Sequence, residues 1–248
     1  MLAHDYLLRG LWHFHQFNAD DAAIAIDYFS EAIKRDSAMA EAYAALARTL
    51  LSKEMYGLSA GAGADAADIA KKALSLDPAS PTAYYVLALV SAHRQDSSTA
   101  ATLARRAIEL NDNYTPAYFA LAVATTYLGR PADSLAAIER ALRLSPADPQ
   151  RFVWLAQQAS ALYLLKRYQE ALDTGQQALR LRWYHTACRV VAASHAQLGQ
   201  LELARSAMAE LLKHEHADKT IREVIRPFTE TSDRDHYTEG LRKAGMPE

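Results

Sequence analysis

A 34-residue self-similarity constrains this chain more than any other feature. Tyr84 recurs as Tyr118, Leu87 as Leu121, Ala88 as Ala122, Ala107 as Ala141, Ile108 as Leu142 and Leu110 as Leu144, each pair 34 positions apart. An aromatic, a small residue and an aliphatic at fixed phase describe two antiparallel helices in close contact. The small residues let backbones approach, and the tyrosines fill the space between neighbouring pairs. One such hairpin cannot bury its apolar face alone, so it needs a neighbour on each side.

The rest of the chain supplies those neighbours. Residues 3–17 are expected to be helical, with Tyr6, Leu7, Leu11, Phe14 and Phe17 at helical spacing and Gly10 at a close approach. Asn18 should cap the next helix, which carries Asp20 and Asp21 in its positive first turn. A second repeat brings Tyr43, Leu46 and Ala47 into phase with Tyr84, Leu87 and Ala88. A fifth begins near Pro149 and exceeds the period by about three residues, and a sixth from His185 keeps Ala192, Gly199, Ala204 and Leu212 in phase with Leu211 at a normally small position. The irregular stretch between Tyr56 and Ala66 predicts a lengthened turn inside the second hairpin. Its Gly61-x-Gly63-x-x-Ala66 pattern imitates a dinucleotide fingerprint but follows a helix where that motif needs a strand. Beyond Ile221 the period stops. Pro227 should break the helix, and a last helix capped by Ser232, with Asp233 and Asp235 in its first turn, should end at Gly245. Its Tyr237 and Leu241 should cover the exposed flank of the sixth repeat.

The formal net charge of −2 argues against a nucleic-acid footprint. No apolar run reaches the roughly 18–20 residues a membrane span needs, the first ten residues carry no secretory pattern, and a cytoplasmic location is expected. No catalytic constellation is visible, and neither a cofactor nor a metal is expected. His13-x-His15 and His214-x-His216 set their rings about 200° apart on a helix, which one ion cannot bridge. The single cysteine, Cys188, excludes an intrachain disulfide and reads as a small buried hydrophobe. Glu139 and Arg143 are an exposed i, i+4 pair, not part of a paired-carboxylate site.

Across residues 3–217 the repeats resemble the tetratricopeptide family. "YLLRGLWHFHQFNADDAAIAIDYFSEAIKRD" and "RDHYTEGLRKAGMPE" are also similar to the tetratricopeptide region of bacterial class III adenylate/guanylate cyclases and of related winged-helix transcription regulators. Neither output domain has a counterpart in this chain. The resemblance implies an all-α, right-handed solenoid of about six helical hairpins plus a C-terminal capping helix. The array would occupy residues 1–220, with repeats at 3–37, 39–79, 81–113, 115–147, 149–183 and 185–217, and a linker and capping helix would follow at 221–248.

In such a fold the first helix of each hairpin lines a concave groove. By phase the groove-facing positions are Glu41, Ala44 and Arg48, then Tyr85, Leu89 and His93, then Phe119, Val123, Thr126 and Tyr127. Gln150, Val153 and Gln157 follow, with Arg189 and Gln197 last. Tyr85, Phe119 and Tyr127 are expected to stand together on one solvent-wetted wall as anchors for a partner. The competing reading packs them against their own neighbours or the C-terminal tail. The expected function is a non-catalytic interaction module of a bacterial signalling protein, taking a peptide, another protein or its own upstream output domain. The alternatives are a cyclase regulatory segment and a small-ligand sensor using the same groove.

Overall fold

The computed structural model describes residues 2–55, 62–214 and 220–248, and all regular structure among them is helical. Six hairpins follow one another. They are α1 (Ala3–Phe14) with α2 (Ala19–Arg35), α3 (Ala40–Met55) with α4 (Ala62–Leu76), and α5 (Pro81–His93) with α6 (Ser97–Leu110). Then come α7 (Thr115–Tyr127) with α8 (Pro131–Leu144), α9 (Arg151–Leu164) with α10 (Tyr168–Leu181), and α11 (His185–Gln197) with α12 (Leu201–Leu212). A short α13 (Ile221–Ile225) and a final α14 (Thr231–Lys243) complete the chain.

Local chemistry sets the helix ends. Asn18 accepts from the Asp21 amide at 2.8 Å and Asp96 from the Thr99 amide at 3.1 Å, each satisfying a donor the first turn leaves unpaired. Pro81 and Pro131 open α5 and α8, where no intrahelical N–H is needed. The turns of the third to sixth hairpins share one geometry. Gln95, Gly129, Lys166 and Gly199 all have left-handed φ, between 61° and 76°. The next amide reaches back past the end of the first helix: Asp96 to Ser91, Arg130 to Thr125, Arg167 to Leu162 and Gln200 to His195, all at 2.9 Å. This closure satisfies orphan carbonyls at the end of the first helix and reverses the chain.

The small residues sit at the contacts their phase predicts. Ala25, Ala32, Ala47, Ala73, Ala107, Ala122, Ala141, Ala171, Ala178 and Ala204 are fully buried. At Gly10 an added Cβ would lie 2.5 Å from the Phe29 ring, so only glycine lets α1 and α2 meet there. First helices of successive hairpins touch one another, α3 on α5, α5 on α7 and α9 on α11, whereas among the described residues successive second helices do not. The side where neighbours touch is the inside of a curve. The first helices therefore form the concave face.

Several expectations need correction. The first helix ends at Phe14, and Phe17 takes a left-handed φ of 55° in the turn. Ala66 belongs to α4 and is fully buried, while residues 56–61 of the expected turn lie outside the described residues. Glu230, not Ser232, occupies the cap position of α14, and of the two aspartates only Asp233 falls in its first turn. The α13 helix does stop before Pro227, with Arg226 at its C-cap. Leu211 is fully buried, so the sixth hairpin accommodates a large residue at the small position.

The tail does not simply continue the stack. α14 packs on α11, with lesser contacts to α9 and α12, and so covers the last first-helix from the concave side. Leu241 is fully buried and Tyr237 is 6 % exposed. Tyr163 donates to the His236 carbonyl at 3.3 Å and its ring lies parallel to the imidazole at 4.8 Å. The Tyr168 hydroxyl is 3.0 Å from His236 Nε2.

Candidate functional site: a roofed concave groove

A cavity of about 580 Å³ lies against the inner faces of α5, α7, α9 and α11. Leu89, Phe119, Val123 and Val153 give it an apolar wall, with the exposed His93 and Arg94 and the buried Arg189 also in the lining. The polar floor is already satisfied. Gln157 Nε2 donates to Thr126 Oγ1 at 2.7 Å, with Ser134 Oγ at 3.2 Å and the Ala122 carbonyl at 3.3 Å also in reach. Thr126 in turn bonds Ser134 at 2.8 Å. With two amide hydrogens and three acceptors, Gln157 ties α7, α8 and α9 together and offers no spare donor. Arg189 Nη2 donates to Thr186 Oγ1 at 3.1 Å.

The chain itself supplies the roof. Val224, Arg226, Pro227 and Phe228 face the cavity from the tail. Beyond them the Thr229 amide and hydroxyl both donate to the Tyr127 carbonyl, at 2.9 and 2.7 Å. That carbonyl belongs to the last turn of α7, where helical partners run out. The Phe228 ring stands edge-on to Tyr127 at 5.3 Å and 5.8 Å from Tyr237. Arg234 holds the Phe228 carbonyl at 2.8 Å. Gly129 makes room for the exit of this strap: a Cβ there would collide with Cγ of Glu230, and φ is +69°. Burial pushes the Tyr127 phenol up to about 12, and the Tyr85 phenol rises for the same reason.

Of the anticipated groove residues, Leu89, His93, Phe119, Val123, Tyr127, Gln157 and Arg189 line this one cavity. Arg48 is elsewhere. It lines a smaller cavity of about 310 Å³ beside Glu41 and Ala44, its guanidinium 4.7 Å from the Phe14 ring centroid. Tyr85 lines neither cavity and packs edge-on to Tyr114 at 6.1 Å.

The wetted aromatic wall is not there. Tyr85 is 2 % and Phe119 5 % exposed, because neighbouring first helices touch directly and close over side chains that point between them. Truncating Tyr85 to alanine should therefore lower stability by about 3–5 kcal/mol, as for other core aromatics. Gln197 faces the tail helix, donating to Tyr163 Oη and accepting from Lys243, both at 3.3 Å. Sequence reasoning missed Arg94, Tyr184, His185 and the tail residues. Tyr184 and His185 follow the extra length of the fifth repeat, the one signal that could have marked them.

The remaining candidates have ordinary surroundings. His13 Nδ1 bonds Asp21 at 2.5 Å, His214 stacks on Trp183 at 3.6 Å between centroids, and His216 lies outside the described residues. Among the described residues no group of three or more His, Cys, Asp or Glu is placed to hold a metal ion. Cys188 is buried and its thiol is pushed up to about 11, so the thiolate is scarce near neutrality. Glu139 and Arg143 pair at 3.8 Å on the surface. Among the described residues no helix is long and apolar enough to cross a membrane.

A curved stack of paired helices with a concave groove is the architecture of a helical-repeat scaffold. Residues 58–115 and 119–186 match the family described as tetratricopeptide repeat, and the chain belongs to that family. Among solved structures it is similar to the Cut9–Hcn1 hetero-tetramer of APC/C, at 17 % identity and a TM-score of 0.71, with 97 % of this chain and 43 % of that chain covered. This chain thus spans less than half of that one. A thermophilic repeat protein of Thermus thermophilus aligns at 21 % identity and a TM-score of 0.58, covering 86 % of this chain and all of that one. Pseudomonas aeruginosa pilF aligns at 17 % and 0.56, covering 85 % and 90 %. At these identities the likeness concerns the fold. No curated protein matches the chain significantly.

Proposed function

We propose that this chain is a non-catalytic interaction module that takes an extended peptide segment in its concave groove. One observation carries the reading: a stretch of polypeptide already lies there. Residues 226–229 cross the inner face, anchored through the backbone and hydroxyl of Thr229 and an aromatic side chain seated beside Tyr127. Main-chain bonding plus an aromatic anchor is how grooves recognise peptides generally. Leu89, His93, Phe119, Val123, Tyr127, Gln157 and Arg189 would form the partner-facing surface. The likeness of the terminal segments to cyclase-associated repeats supports a setting in bacterial signalling, with an output domain elsewhere as one partner.

Peptides selected on the immobilised chain should test this. Binding should fall at least tenfold in His93→Glu, whose side chain is exposed in the groove lining, and be unchanged in Leu203→Glu on the outer face. Equal binding by both variants would place recognition outside the groove. The roofed cavity also favours a second reading, a small-ligand sensor, since about 580 Å³ suits a metabolite-sized molecule. A melt raised by a low-molecular-mass cell extract, with no peptide selected, would favour it.

A further inference from the structure

The groove wall and its roof differ in charge. Wall residues contributed by the repeats include Arg94, Arg189, His93 and His185 and no carboxylate. The roof brings one, Glu223, along with Arg226. Remove the roof and the formally charged side chains left in the lining are Arg94 and Arg189, set in a wall of apolar and aromatic residues. Much of the roof is open to solvent. Thr229, the residue that fastens it to α7, is exposed, as are Glu223, Arg226 and Glu230. Only Phe228 and Val224 are buried along this stretch, and the bonds to Tyr127 join residues 102 positions apart.

We propose that the partner is an acidic peptide segment carrying an aromatic residue, and that residues 223–230 compete with it intramolecularly. This rests on the groove reading above and adds the partner's chemistry and its control. A carboxylate-rich segment complements Arg94 and Arg189, and its aromatic residue replaces Phe228 between Tyr127 and Tyr237. A tethered competitor acts at high effective concentration, so the resting groove is closed to weak ligands and opens to those that match its charge. A peptide suits the surface better than a nucleic acid, because the wall is mainly apolar side chains within an enclosed cleft.

The test uses the full chain and two fluorescein-labelled peptides, alternating Glu–Phe and alternating Lys–Phe. Phe228→Ser combined with Thr229→Pro removes the aromatic plug and both donors to Tyr127. It should bind the Glu–Phe peptide at least tenfold tighter than the unaltered chain, and the Lys–Phe peptide no better. Thr229→Ala, which deletes only an exposed hydroxyl, should shift affinity the same way by a smaller factor. It should also speed amide exchange across 226–230, and it keeps the test valid if the double variant folds poorly. Adding Arg94→Glu should reverse the gain. Affinity unchanged by release, or equal preference for Lys–Phe, would overturn the acidic competitor and leave the groove reading standing. Tighter binding of a single-stranded oligonucleotide would overturn the peptide class. No binding to any of these by either form would remove the groove reading itself.

Discussion

The two ends of this solenoid solve the same problem differently. At the start, α1 leaves Leu8 and Trp12 exposed, at 53 % and 61 %, on the flank where another hairpin would stack. At the finish, α14 folds inward and buries Leu241, Tyr237 and Phe228 against α11, α9 and the strap. A repeat array always has two unpaired faces. Here the described residues leave Leu8 and Trp12 exposed at one face and cover the other with a segment that also reaches the groove. End protection and access to the concave face are therefore carried by the same residues.

The largest effect should come from removing 220–248. Burial of Leu241, Tyr237 and Phe228 alone stabilises by roughly 1.5–3 kcal/mol each, so the loss should be on the order of 5 kcal/mol. The bared flank should drive association visible by light scattering, and a monomeric truncation with an unchanged melt would end the contrast between the two ends. A paired substitution sharpens it: Leu241→Ala should cost about 2–5 kcal/mol and Leu8→Ala less than about 0.5, read by denaturant unfolding. Ala122→Leu, in the middle of the array, should overpack the contact of α7 with its neighbours and cost about 1–3 kcal/mol.

A smaller effect should follow pH. His236, on α14, has its pKa lowered by burial first and by Lys166, with Lys243 adding to the shift and Asp233 and Glu239 opposing it. A histidine depressed in the folded state binds its proton more readily when unfolded. Its neutral form is therefore fully compatible with folding above the ordinary value of 6.5, and stability falls as pH drops below it. His15, near the other end, shifts the same way through burial and Arg48. His236→Gln should flatten only the C-terminal share of the loss. An identical pH profile in that variant would assign the dependence to other groups.

The helical pairs were readable because periodic positions report local contacts. Tyr43, Tyr84 and Tyr118 recur in phase and are all half-buried, and the alanines between them are closed off. The cavity walls followed from the same phase, so Leu89, Phe119, Val123 and Gln157 were found together. Period says nothing about segments that leave it. The strap meets Tyr127 only because α14 folds back, and Arg94 falls at a helix end where phase arguments stop. The depth of Tyr85 depends on how tightly successive first helices close, a property of the whole curve rather than of one repeat.

One contact alters how such a curve behaves as a mechanical object. Arg182, in the loop after α10, donates to the Phe17 carbonyl in the first hairpin at 2.5 Å, joining residues 165 positions apart. Its guanidinium also rests 5.4 Å from the Phe152 ring centroid. An unstitched stack of hairpins is a spring whose pitch can stretch freely, each joint yielding a little. With this tie the first hairpin is joined directly to the loop after the fifth, and stretching the spring must also break that bond. Resistance to pulling thus has a loop-to-loop contribution beside that of the interfaces between neighbouring hairpins.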